Sequence, residues 1–180
     1  MRVFILTTGR SGSLTFAAAC SHAANYTSAH ENRNHLASLR YPDDHIAINN
    51  RLAWFLPILD DRYPDAFWCF LHRDPKATAE SFVRWSRIHG GHPGQLLNAY
   101  RHALKMGGRP LQPVRDALEM VTLIQLRILE FLDTKPDART STVRLAHPAI
   151  DFGLFWHKIR AEGDLGDALA EFTHKRNASQ

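Results

Sequence analysis

Two short stretches of this chain carry side chains spaced for holding anions. The first, Thr7-Thr8-Gly9-Arg10-Ser11-Gly12-Ser13-Leu14-Thr15, sets hydroxyls and one fixed positive charge around two glycines, directly after the apolar run Val3-Phe4-Ile5-Leu6. A glycine-rich turn between a strand and a helix aims successive backbone N–H groups at one point beside the positive helix end. That geometry takes a phosphate or a sulfate. Its expected contacts are Thr8, Gly9, Arg10, Ser11, Gly12, Ser13, Leu14 and Thr15. A plainer reading of the same residues is a tight turn whose serines cap a helix. The second stretch is Arg73-Asp74-Pro75-Lys76-Ala77-Thr78-Ala79-Glu80-Ser81. Here Arg73 leaves an apolar strand and Ser81 lies two turns into the helix that follows. The pair is placed for a second anionic group at the carboxyl edge of a sheet; taken alone, it also reads as a capped helix with a surface ion pair. A Walker A loop is excluded, because that motif needs a lysine and none occurs between Met1 and Pro75.

The elements that must position these groups follow from pattern. Short apolar or β-branched runs predict strands over 3–7, 25–29, 45–48, 66–72 and 141–145. The strand at Ala66–His72 is aromatic-rich and closed by Asp74 and Pro75, an N-cap and first-turn pair that starts a helix running to about Arg87. Small residues from Ser11 to Ala24 suit a helix packed closely on a sheet, and a further helix is expected over Arg51–Asp61. Leu118, Val121, Ile124, Ile128, Phe131 and Leu132 recur at helical spacing in a long core helix over 114–132. A polar helix is expected over 95–105, and short ones over 151–160 and 164–172. Strands alternating with helices predict an α/β fold, with a mainly parallel β-sheet flanked by helices on both faces.

Composition sets the outer limits. The chain has 180 residues, 44% hydrophobic and 22% charged, so one domain over 1–180 is the expectation. Ten Phe and four Trp supply enough apolar material for a core. The 22 Lys and Arg exceed the 18 Asp and Glu by four, without a basic run, which favours a small anionic ligand over nucleic acid. No apolar run is long enough to cross a membrane, so no membrane partner is expected. The first strand is expected directly after Met1, so no signal peptide is expected. Cys20 and Cys69 fit neither a disulfide framework nor a metal knuckle, and no His, Asp or Glu cluster has metal spacing. A cytoplasmic location is the reading.

Together the two stretches resemble the sulfotransferase superfamily, whose members transfer a sulfuryl group from 3′-phosphoadenosine-5′-phosphosulfate (PAPS) and release PAP. In that family a strand–loop–helix with a basic residue followed by Ser-Gly-Ser/Thr grips the 5′-phosphosulfate, and Thr8-Gly9-Arg10-Ser11-Gly12-Ser13 matches it. The family holds the 3′-phosphate through an Arg and a Ser eight residues apart, with Pro two after the Arg; Arg73, Pro75 and Ser81 match. The segment Ile58–Ala66 leading into the Arg73 strand also reads like the family. Resemblance is good over 1–87, thin over 88–140, and returns weakly at Ser141–Leu145 and Lys175–Ser179. It implies a P-loop-like three-layer sandwich. It also implies PAPS as co-substrate, a small-molecule or glycan acceptor, and a possible homo-oligomer. The sequence departs from the family in two places. Ile46-Ala47-Ile48-Asn49-Asn50-Arg51 offers only Arg51 where many members carry lysine, and the glycine-rich C-terminal nucleotide segment is absent, with Lys175 and Arg176 as partial replacements.

The implied reaction is in-line displacement at sulfur, with demands like those of phosphoryl transfer. Arg10 and the loop amides would stabilise charge on the bridging oxygen. Glu31 is the preferred base, as in family members with a glutamate there, and His30 is its neighbour and alternative. An exposed carboxylate paired with Arg33 is the plainer role for Glu31. His22 reads as structural; His72, His89 and His92 are placed for ligand or lid contacts, and Trp85 for stacking on adenine. The alternatives are a non-catalytic PAP-binding module and, less favoured, a P-loop nucleotide kinase.

Overall fold

The computed structural model describes residues 1–88, 94–103 and 112–173. Five strands form one parallel sheet: β1 (Arg2–Leu6), β2 (Thr27–His30), β3 (His45–Ile48), β4 (Phe67–His72) and β5 (Thr140–Arg144), in the order β2-β3-β1-β4-β5. Every neighbouring pair is parallel. All carboxyl ends therefore lie on one edge, and the register makes His30, Ile48 and Ile5 a row across three strands.

The strands read as continuous apolar runs because helices cover both faces. Side-chain alternation splits β1 between the layers. Phe4 and Leu6 join Trp68 and Phe70 beneath α3 (Leu56–Arg62), α4 (Pro75–Ile88), α5 (Gly94–Ala103) and α6 (Pro113–Asp133). Val3 and Ile5 join Phe67, Cys69 and Leu71 against α1 (Ser13–Cys20), α7 (Pro148–Lys158) and α8 (Leu165–Ala170). The result is the expected α/β three-layer sandwich. The predicted long helix is α6; its buried positions include Ala117, Met120, Val121, Ile124, Ile128 and Leu132.

Three differences from the sequence pattern bear on the site. The first helix spans Ser13–Cys20 rather than 11–24, because Gly12 takes φ 79° as its N-cap and the chain turns again after Ser21. The stretch expected as one helix over 51–61 is a short 3₁₀ turn (Leu52–Trp54) followed by α3. A short helix that no strong periodicity announces, α2 (Arg33–Ser38), follows β2; the Asn32 side chain starts it by accepting from the His35 N–H at 3.1 Å. His89, His92, Lys175 and Arg176 lie outside the described residues.

Candidate active site

The turn after β1 is tightly made. Thr7, Thr8 and Ser11 are buried, and the Thr7 and Ser11 hydroxyls hydrogen-bond to each other. The Gly9 N–H donates to Thr7 Oγ1 at 3.3 Å, and the Thr8 hydroxyl donates to the Gly9 carbonyl at 3.1 Å. Gly9 and Arg10 both take left-handed backbone, φ 79° and 55°. At Gly9 only a hydrogen fits well, since a Cβ would stand 3.1 Å from Asn50 Nδ2 and 3.3 Å from Phe82 Cζ. Arg10 adopts the same region with a full side chain, a conformation that costs free energy and is held by its surroundings. Gly12 gives α1 no side-chain cap, so the N–H groups of its first turn have no side-chain acceptor there. Ser13 opens α1, Leu14 is partly exposed and Thr15 lies in the same first turn.

The second stretch folds onto the first. Asp74 caps α4, accepting from the Ala77 N–H at 2.8 Å, and the carbonyl of Asp74 accepts from the Thr78 N–H at 2.9 Å. This fixes the strand-to-helix corner from which Arg73 emerges. Arg73 Nη1 donates to the Arg10 carbonyl at 2.7 Å, and Arg10 Nε donates to Ser81 Oγ at 3.3 Å. Residues 63 and 71 positions apart in sequence thus become one assembly. The Arg73 backbone is itself held, since Gln125 on α6 donates to its carbonyl at 2.8 Å.

Arg84 completes a positive cluster. It lies one turn beyond Ser81 on α4, and its charge reaches both other guanidiniums. Burial first, then Arg73 and Arg84, pull the Arg10 pKa below its ordinary value. For Arg73 the causes are burial and then Arg84, opposed by Asp74. Among the described residues none of the three forms an ion pair with a carboxylate. Repulsion between the half-buried Arg10 and Arg73 and the exposed Arg84 is relieved by an anion with several oxygens, which arginine forks bind bidentately. The sequence pattern passed over Arg84, although its three-residue offset from Ser81 puts the two on one helix face. Gln125 and Asn50 carried no readable signal.

His30 and Glu31 part company at the end of β2. The row with Ile48 and Ile5 brings His30 beside the turn, and His30 Nε2 hydrogen-bonds to Ser13 Oγ at 2.9 Å. Burial lowers the His30 pKa, partly offset by the Glu31 charge, so the ring is neutral at physiological pH. Glu31 takes φ 51°, donates its N–H to the Ile48 carbonyl at 2.8 Å and has an exposed side chain. It forms no ion pair with Arg33 among the described residues. After β3, Asn49 is buried and shapes the turn by accepting from the Arg51 N–H at 2.9 Å, while Asn50 packs on Gly9. His22 pairs with Glu171 at 3.4 Å, away from the turn, and the ring of His72 packs edge-on against Phe70. Trp85 is half-buried on α4 beyond Ser81. Among the described residues no group of three or more His, Cys, Asp or Glu is arranged to hold a metal, and no helix is long and apolar enough to cross a membrane.

No family model matches the chain, and no curated protein does so by sequence. Solved structures do match. A sulfotransferase domain from the curacin biosynthetic pathway superposes with TM-score 0.66 at 14% identity, over 97% of this chain and 78% of that one. A sulfotransferase from Alicyclobacillus acidocaldarius gives TM-score 0.64 at 10% identity, over 91% and 84%. The mouse sulfotransferase SULT7A1, solved in complex with PAP, gives 0.59 at 15%, over 95% of this chain and 62% of that one. The chain has the sulfotransferase fold.

Proposed function

We propose that the protein is a PAPS-dependent sulfotransferase acting on a hydroxyl or amine of a small-molecule acceptor. The observation that carries this reading is the single assembly made by Arg10, Ser81 and Arg73, in which two anion-binding stretches meet at the carboxyl edge of a sulfotransferase-fold sheet. In this reading the turn amides and the hydroxyls of Ser11, Ser13 and Thr15 receive the 5′-phosphosulfate. Arg73 and Ser81 receive the 3′-phosphate, with Arg84 adding charge. The acceptor oxygen or nitrogen attacks sulfur, the bond from sulfur to the bridging oxygen breaks, and PAP leaves. Arg10 stabilises the charge that grows on that bridging oxygen. The acceptor's proton passes to a base at the end of β2. The neutral, turn-bound ring of His30 favours it over Glu31, which sequence position alone had favoured.

Two measurements test the proposal. PAP without magnesium should raise the melting temperature, whereas ATP with magnesium should not. PAPS with an acceptor panel should then yield sulfated product. A shift with ATP and magnesium alone would support the nucleotide kinase instead. PAP binding without turnover would support a non-catalytic module, a reading favoured by Asn49, Asn50 and Arg51 standing where many family members carry lysine.

A further inference from the structure

The segments after β2 and β3 form the walls of a second feature. An open cavity of about 510 Å³ is lined by Arg33, Leu36, Ala37, Leu39, Arg51 and Phe55. Its size falls within the roughly 300–1,000 Å³ of small-molecule sites. Sheet order places it: β3 lies next to β1, so the segment carrying Arg51 adjoins the anion-binding turn, with Asn50 already against Gly9. Its outer wall is held in place. Leu39, at φ 49°, has its carbonyl bonded by Arg62 Nη1 at 2.9 Å and by the Tyr63 hydroxyl at 3.2 Å, and Asn32 caps α2. Among the described residues the lining therefore combines four apolar residues with two arginines and no acidic residue.

We infer that this cavity is the acceptor site, and that the acceptor is an amphipathic molecule with an apolar body and an anionic head, a carboxylate or a phosphate. The assignment of the site as an acceptor site rests on the sulfotransferase reading; the ligand chemistry does not. Leu36, Leu39 and Phe55 take the apolar body, for which a neutral sugar has no use. Arg33 and Arg51 take the head, since a guanidinium fork is the side chain best matched to carboxylate and phosphate.

The test is isothermal titration of the PAP-loaded protein with 3-hydroxydecanoate, its methyl ester, monodecyl phosphate and cellobiose. The hydroxydecanoate should bind about tenfold more tightly than its ester. Arg33→Gln should remove most of that margin, and Arg33→Lys should keep much of it, with melting temperature and PAP affinity unchanged in both. The decyl phosphate arm decides the head: tighter binding than the carboxylate assigns a phosphate, weaker binding a carboxylate. Equal binding of acid and ester, preferential binding of cellobiose, or loss of PAP affinity in Arg33→Gln would overturn the inference, the last by placing Arg33 with the donor. Should PAP itself fail to bind, the same titration runs on the nucleotide-free protein. A retained preference for acid over ester then upholds the ligand chemistry while the donor reading falls.

Discussion

On the proposed function Arg73 has two tasks that substitution can separate. One nitrogen of its fork is committed to the Arg10 carbonyl, which leaves further donors for a ligand. Arg73→Ala should weaken PAP binding by about 10- to 150-fold, the worth of a charge-assisted hydrogen bond of roughly 1.5–3 kcal/mol. An analogue lacking the 3′-phosphate should lose less, and that smaller loss reports the slackened turn alone. Equal losses for both nucleotides would remove Arg73 from the 3′ end. Arg84→Ala should weaken both ligands less than Arg73→Ala does, because its side chain is exposed to solvent and salt. The base is decided by turnover at saturating PAPS. His30→Ala should lower it by something on the order of 10²–10⁴ with PAP affinity changed only through the lost Ser13 contact, and Glu31→Gln should be milder. A collapse in Glu31→Gln beside near-normal His30→Ala would return the role to the carboxylate.

At the scale of elements, the β2–β3 pair has a weakness that acid should expose. His45 opens β3 in a buried position; its Nδ1 hydrogen-bonds to Thr27 Oγ1 of β2 at 2.8 Å, while Nε2 has no partner. Its ring stacks against Tyr41 and meets His35 edge-on. Burial, then the nearby His35, lowers its pKa from 6.5 to about 4. The folded protein thus keeps this ring neutral at pH values where the unfolded chain protonates it. Stability is complete above pH 6.5 and falls as the pH drops from there toward 4. The total loss is at most on the order of 3 kcal/mol, each pH unit contributing at most about 1.4. Melting temperatures between pH 7 and pH 4.5 should therefore fall, and His45→Phe should flatten the slope. A variant as acid-sensitive as the parent would assign the effect to other groups, His30 and His72 among them, whose pKa values are also lowered.

Across the whole molecule, one seam joins the C-terminal layer to the first βαβ unit. The Ala24 N–H donates to the Glu162 carbonyl at 2.6 Å, Asn25 Nδ2 to the Arg160 carbonyl at 3.0 Å and the Tyr26 hydroxyl to the Ile159 carbonyl at 2.8 Å. Gly163 sits in this seam at φ 129°, where a Cβ would stand 2.1 Å from the His22 carbonyl oxygen. The obstacle is backbone and cannot swing aside. Gly163→Ala should cost about 2 kcal/mol or more, a fall of roughly 4–8 °C in melting temperature. An unchanged Tm would show that the seam yields locally. Because the turn after β1 lies at the opposite end of α1, PAP affinity measured well below the melting transition should survive the substitution.

The sequence by itself determined the five strands, most of the helices packed on them and the two stretches that meet at the site. Each rests on local physics: apolar runs that suit buried parallel strands, an Asp-Pro pair that starts α4, and glycines that permit a left-handed turn after β1. Long-range order lay beyond it. Strand order put β3 beside β1, and with it Asn50 against Gly9; no spacing along the chain encodes that adjacency. The placing of Arg84 and Gln125 and the contact of His30 with Ser13 depend on which side chains meet across elements. So does the cavity, because its walls come from α2 and the β3 loop, and α2 is only six residues long with no buried face to announce it. Local pattern specifies the pieces, and tertiary packing decides which charges share one space, since charge repulsion and burial act through distance in the folded chain rather than along it.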